Sequence, residues 1–169
     1  QSIRLSALPI HGVDAVHGVQ VWLGFTDEEP TAPRTVEGWS YDPNEKMTYH
    51  GPGVDKNVLG IDEPRPAAVA VPQYFHQFDR FERELEAGQF VSAVGEGAVP
   101  EGHSFDGDVE LTDGHGVQRT IHVAARGVGI GTEHPMVRGL LHDISDIQPP
   151  SGYFERRLAR DMAMVMAKM

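Results

Sequence analysis

Apolar side chains recur at every second position over several stretches of this chain. In "HGVQVWLGF", residues 17–25, Val19, Val21 and Leu23 alternate with Gln20 and Trp22, which predicts a strand. In "VEGWSYDPNEKMTYHG", residues 36–51, Trp39 and Tyr41 share one parity, and Met47 and Tyr49 share parity on the return. "DPNE" between them supplies turn chemistry, so two strands joined by a short turn is the economical reading. From Ser104 the period of two returns. Phe105, Val109 and Leu111 fall on one face, and "DGHG" at 113–116 turns the chain. Ile121 and Val123 then face away from Thr120 and His122, and "MVRGLLHDIS" at 136–145 makes a last strand after the turn "GTEHP". Three strands joined by tight turns predict an antiparallel meander with one packed face.

Elsewhere the period lengthens to that of a helix. "YFHQFDRFERELEAG", residues 74–88, spaces Phe78, Phe81, Glu82 and Leu85 by threes and fours, and Gly88 offers a stop. "PGVDKNVLG", residues 52–60, has room for a turn or two of helix closed by Gly60. After Pro149-Pro150, "SGYFERRLARDMAMVMAKM" repeats Phe154, Leu158, Met162, Val165 and Met169 at helical spacing, which predicts an amphipathic helix. The segment 61–74, with prolines at 64, 66 and 72, and the glycine-rich stretch 89–102 read as irregular connections. Two strands, short helices, one longer helix, three strands and an exit helix form an α+β plan, with helices gathered on one side of an antiparallel sheet.

Composition narrows the function classes. The chain has 169 residues, enough for one domain with extensions. Its formal net charge of −11 disfavours a general nucleic-acid partner. It contains no cysteine, which removes disulfides, thiolate metal sites and cysteine nucleophiles. No apolar run reaches the ~18–20 residues that span a bilayer, so no membrane insertion and a cytoplasmic location are expected. The first residue is Gln1 rather than Met, which suits a segment of a longer protein.

The ordered motifs carry a resemblance. "GWSYD" at 38–42, "VLG" at 58–60, "FDRFERELEAG" at 78–88, "DG" at 113–114 and "VRGLLHDISD" at 137–146 together resemble the PAS domain family. The likeness is to the subgroup with Trp-x-x-Asp in its first strand and a last strand ending Asp-Ile-Thr. It covers roughly residues 34–148, with 1–33 as an N-terminal extension (a strand and an acidic, proline-rich linker) and 149–169 as the exit helix. The resemblance implies a five-stranded antiparallel sheet with helices on one face, in a bacterial sensor used for signal transduction. It also implies a ligand pocket between helices and sheet, and an exit helix that pairs in a homodimer or leads to a neighbouring domain. The segments 61–74 and 89–102 depart from the family pattern and flank that pocket, so ligand identity does not carry over.

Candidate chemistry is sparse. In "VRGLLHDISDIQPP", His142-Asp143 has two letters of a metal site but no further ligands at helical spacing. Asp143 is expected instead to end the last strand, accepting hydrogen bonds from amides near Ser145 and Asp146, with His142 on the outer side of the sheet. His11, His17, His50, His103, His115 and His134 adjoin turn residues and read as exposed loop histidines; His76 reads as a surface or capping residue rather than a haem ligand. No nucleophile elbow, P-loop or dinucleotide fingerprint is present, so no catalytic residue, metal or cofactor is assigned. The candidate ligand-binding set is Trp39, Tyr41, Met47, Tyr49, Phe75, Phe78, Val109, Leu111, Ile121, Val123, Gly139 and Leu141, suited to a small apolar or amphipathic molecule. The candidate interface is the exit-helix stripe of Phe154, Leu158, Met162, Val165 and Met169. The expected function is a non-catalytic sensory or regulatory domain that binds such a ligand or a protein partner. The alternative is a dimerisation module with a filled core and no ligand.

Overall fold

In the computed structural model, which describes residues 2–70 and 78–152 together with residues 158, 162 and 166, the alternating stretches become strands. β1 (Ile3–His11) and β2 (Val16–Phe25) pair as a separate two-stranded antiparallel ribbon. β3 (Val36–Asp42), β4 (Met47–His50), β5 (Ala68–Ala70), β6 (Phe78–Phe81), β7 (Ser104–Thr112), β8 (Gln118–Val128) and β9 (Met136–Asp143) build one antiparallel sheet. Its order is β5-β4-β3-β9-β8-β7-β6, seven strands where five were expected. The two additions are short edge strands. The last strand lies in the centre beside the first, because the chain crosses from the β5 edge to the β6 edge before the meander begins. Helix α1 (Glu84–Gly95) and a π-helical turn at Val54–Val58 complete the α+β plan.

Local chemistry fixes the turns. Asp42 Oδ1 accepts hydrogen bonds from the Asn44 and Glu45 amides at 2.8 and 3.0 Å, which closes the β3–β4 hairpin. Asp113 Oδ1 does the same for the His115 and Val117 amides, both at 2.9 Å, between β7 and β8. Gly60, with φ +62°, ends the π-helical turn as its position suggests.

The segment 74–88 is not one helix. Its first four residues, 74–77, lie outside the described residues, but Phe78–Phe81 is a strand and α1 begins only at Glu84. Phe78 pairs with Leu111 and Phe81 with Val109, while the register slips between Phe78 and Arg80. This β-bulge takes up one extra residue, so two phenylalanines three apart project from the same face of a strand. Bulge spacing and helical spacing coincide here. Gly88, expected as a stop, sits inside α1 with open space around it. The helix continues because Ala87, Phe90 and Val94, three and four apart, pack on the sheet. Gly97, with φ +66°, is the residue that closes it.

The N-terminal ribbon docks by its turn end on the face of the sheet opposite α1. A Cβ on Gly51 would lie 2.5 Å from the carbonyl oxygens of both Gly38 and His11, and one on Gly38 would lie 2.6 Å from the latter. Glycine at both positions lets the two backbones touch. Arg138 holds Asp14 at 2.7 Å, and the His17 ring, only 1% exposed, is wedged near Ser40 and the Gly139 carbonyl. The expectation of an exposed loop histidine at 17 is therefore corrected: the turn that suggested exposure is itself covered.

Candidate functional site

Pairing register decides which side chains share the space beneath α1. Trp39, Tyr41, Val109, Leu111, Ile121, Val123 and Leu141 all point to that inner face and are buried there. Gly139 shares their parity, but the room it leaves is filled by Trp39, whose indole would lie 2.4 Å from a Cβ at that position. Met47 and Tyr49, expected among them, lie on the outer face. Tyr49 pairs with Ser40 and Met47 with Asp42, so Thr48 and His50 turn inward and are buried instead. The sequence parity was read correctly within the strand and assigned to the wrong face. Phe75 lies outside the described residues.

Between α1 and the sheet remains a cleft of about 60 Å³, lined among the described residues by Trp39, Phe78, Phe81, Ala87, Phe90, Val91, Phe105, Val123 and Ala125, none of which turns a polar atom into it. Four phenyl rings form a run along it. Phe78 meets Phe81 edge-on at 6.1 Å, Phe81 meets Phe105 at 6.2 Å, and Phe105 stacks on Phe90 at 5.8 Å. The Arg83 guanidinium caps the Phe105 ring at 5.0 Å. Of the residues expected in a pocket, Trp39, Phe78 and Val123 line this cleft, and Tyr41, Val109, Leu111, Ile121 and Leu141 fill the core around it. Phe90 and Val91 escape sequence reading because the stretch from 89 looks like a glycine-rich link; the spacing Ala87–Phe90–Val94 is the available signal.

One wall of the cleft is weakly held. β6 is four residues long, bulged and at the sheet edge, and its Phe78 and Phe81 are half-buried. Arg80, between them on the opposite face, donates to Glu110 at 3.5 Å and to the Ser151 hydroxyl at 3.4 Å, and also pairs with Glu82. Glu110 in turn accepts the Ser151 hydroxyl at 2.8 Å and its amide at 3.2 Å. The strand that lines the cleft thus touches the first residue after Pro149-Pro150, where the exit segment departs.

His142 and Asp143 do not act together. His142 pairs across the ladder with His122 on the outer face, whereas Asp143 turns inward opposite Ile121. Asp143 Oδ1 accepts the Ser145 amide at 3.0 Å and its hydroxyl at 2.6 Å, as its strand-end position predicts. Its other oxygen accepts Arg119 Nη1 at 2.9 Å, and Arg119 Nε donates to Asp113 at the same distance. Burial pushes the Asp143 carboxyl up, but the Ser145 and Arg119 bonds outweigh it and hold the group below the usual carboxylate range. Asp113 is displaced the same way, burial being outweighed by the Val117 amide and by Arg119. Burial, with Arg34 and His122 nearby, holds His142 below the ordinary histidine value.

His50 is the other histidine misjudged as exposed. It is buried on the inner face with Nδ1 2.8 Å from Asp55 Oδ1, and burial lowers its pKa despite that carboxylate. Among the described residues, no group of three or more His, Asp or Glu side chains is placed to hold a metal ion.

Comparison with known proteins adds a fold and little more. No family model matches the sequence, and no curated protein matches it. Among solved structures, an uncharacterised protein from Mycobacterium tuberculosis is similar, with a TM-score of 0.64 at 22% identity over 83% of this chain. The shared feature is the fold. The chain spans 43% of the length of that structure. A sensory box histidine kinase/response regulator from Burkholderia thailandensis E264 aligns with a TM-score of 0.47 at 15% identity, over 79% of this chain and 88% of the other, a likeness too shallow to carry an argument.

Of the exit-helix stripe, Leu158 and Met162 are helical and exposed, as is Met166 beside them. Phe154, Val165 and Met169 lie outside the described residues. No helix among the described residues is long and apolar enough to cross a membrane.

Proposed function

We propose that this chain is a non-catalytic, PAS-like regulatory domain whose input is a small apolar molecule in the cleft beneath α1. The observation that carries the reading is the cleft itself: among the described residues, five aromatic and four aliphatic side chains line it and none turns a polar atom into it. Such a lining selects by shape and hydrophobicity, and its described side chains carry no group for acid–base or nucleophilic chemistry. At about 60 Å³ it is smaller than the ~150 Å³ apolar cavity that holds benzene. An occupant larger than a few atoms must therefore displace a wall, and β6 is a wall of four residues, bulged in its pairing with β7.

Displacement of Phe78 and Phe81 moves Arg80, which lies between them in sequence and reaches Ser151 on the other side of the sheet. A ligand that favours the displaced strand would release the root of the exit helix. It acts only as far as it binds one arrangement better than the other. Native mass spectrometry of the chain as purified, followed by denaturing analysis of anything released, tests the input. A retained small apolar molecule is expected. A bare protein that also fails to bind added small apolar compounds would refute it. Replacing Arg80 by Met tests the relay: cleft occupancy should persist while its effect on Ser151 is lost.

The exposed apolar face of the N-terminal ribbon favours a second reading, a module that works by association with a filled core. Dimerisation that is indifferent to cleft occupancy would support it.

A further inference from the structure

The N-terminal ribbon has one face that nothing among the described residues covers. Its register pairs Ile3 with Phe25, Leu5 with Leu23, Ala7 with Val21 and Pro9 with Val19. Because side chains alternate, all eight of these residues share a face. Every one is apolar and exposed; Ile3, Leu5, Val19, Val21 and Leu23 each show 55–66% of their surface to solvent. The opposite face bears Arg4, Ser6, Leu8, Gln20 and Trp22 and looks onto the linker of Glu29 to Arg34. The sequence pattern in β2 marked the strand but not its partner β1, whose proline and alanine weakened the signal.

We infer that this face is a homodimer interface, in which the ribbons of two copies of the chain pack face to face. Three observations favour a second copy as the occupant. The first is area. The exposed apolar surface of the face is on the order of 700 Å², close to the ~800 Å² that each partner contributes to a standard interface. The second is charge. The first 25 residues contain one Arg, Arg4, and one Asp, Asp14, so the ribbon is neutral in a chain of net charge −11. A neutral, uniformly apolar face offers no steering to a charged partner and is complementary to itself about a two-fold axis. The third is the ribbon's own stability. Two strands alone are marginal in water, and among the described residues this pair is seated on the sheet at its turn end, through Asp14, His17 and the Gly38–Gly51 seat. A second ribbon supplies the missing layer along the remainder.

Sedimentation equilibrium of the full chain over a wide concentration range tests the inference. A reversible dimer is expected, and it should tighten with added salt, because salt screens the repulsion between two acidic bodies without weakening an apolar contact. Leu5→Glu with Leu23→Glu should weaken dimerisation by at least about a hundredfold, since four like charges then meet across the axis. At a concentration where the parent is itself monomeric, thermal melting of the variant should stay close to that of the parent, because both positions are exposed in the single chain. Leu85→Glu, on the exposed side of α1, should leave association unchanged. The absence of native cysteine allows a direct probe: Ala7→Cys, in the middle of the face, should oxidise to a covalent dimer, and Leu85→Cys should not. A chain that stays monomeric throughout overturns the inference. So does a dimer that survives the double substitution, or one that dissociates as salt is added.

Discussion

Replacing Arg119 with Met removes a guanidinium and keeps most of the stem, and the structure gives the cost. Arg119 joins Asp113, whose side chain is fully buried, to Asp143 at the end of β9. Without it, Asp113 keeps two amide donors and Asp143 keeps the Ser145 amide and hydroxyl, so neither carboxylate is orphaned. What is lost is the counter-charge. Breaking a buried ion pair costs ~3–5 kcal/mol, and the partial exposure of Arg119 places this case at the lower end, about 3 kcal/mol. Urea denaturation should show the midpoint falling by about 1.5 M, given a slope of roughly 2 kcal/mol per molar for a domain of this size. The sign with pH follows from linkage. Both carboxyls are held below their usual value of 3.8, so their contribution is complete above that value and disappears as pH falls through the folded-state values. The difference between parent and variant should therefore shrink when measured below pH ~4. A loss under about 0.5 kcal/mol at neutral pH, or one independent of pH, would refute the view that Asp143 belongs to a structural ion cluster.

His50 should make the fold sensitive to mild acid. Burial lowers its folded-state pKa, so the native state binds the proton less readily than the unfolded chain, and stability should decline as pH falls below 6.5 and be flat above it. His50→Gln should flatten that slope in denaturant titrations taken from pH 7 to 5. Gly51→Ala places a methyl against two carbonyl oxygens, costing about 1–3 kcal/mol of overpacking. Because one of those oxygens belongs to His11, amide exchange should rise at residues 10–18 before it rises in β7–β9. Phe90→Ala should cost about 3–5 kcal/mol and enlarge the cleft past the ~150 Å³ at which apolar cavities admit benzene. Calorimetric titration should then detect benzene binding to the variant well above that to the parent, and equal binding would show that the ring does not bound the cleft.

Much of the fold was legible because period-two alternation is preserved where one face of a sheet is buried and the other is not. β3, β7, β8 and β9 satisfy that condition, and their turns carry Asp residues whose carboxylates bond the following amides. Reading failed where two geometries share a spacing. Phe78 and Phe81 sit three apart on a bulged strand, a spacing that a helix face shares. It failed again where face depends on partners distant in sequence. Nothing in "MTYH" says whether Met47 and Tyr49 or Thr48 and His50 turn inward; the pairing with β3 decides it. The burial of His17 rests on Ser40 and Gly139, and such long-range seats leave no local pattern. The cleft was half visible: Trp39, Phe78 and Val123 were expected in it, but the half built by α1 was hidden behind glycines at 88 and 95 that the helix tolerates.

The cleft and its relay can be tested together by methyl and amide NMR of the chain under increasing xenon pressure, xenon being a small apolar probe of dry cavities. The methyl groups of Ala87, Val91, Val123 and Ala125 should shift, and the Ser151 amide should shift along the same titration curve. Unchanged cleft methyls, or cleft shifts to which Ser151 does not respond, would contradict a regulatory domain that reads an apolar ligand beneath α1 and reports it through Arg80.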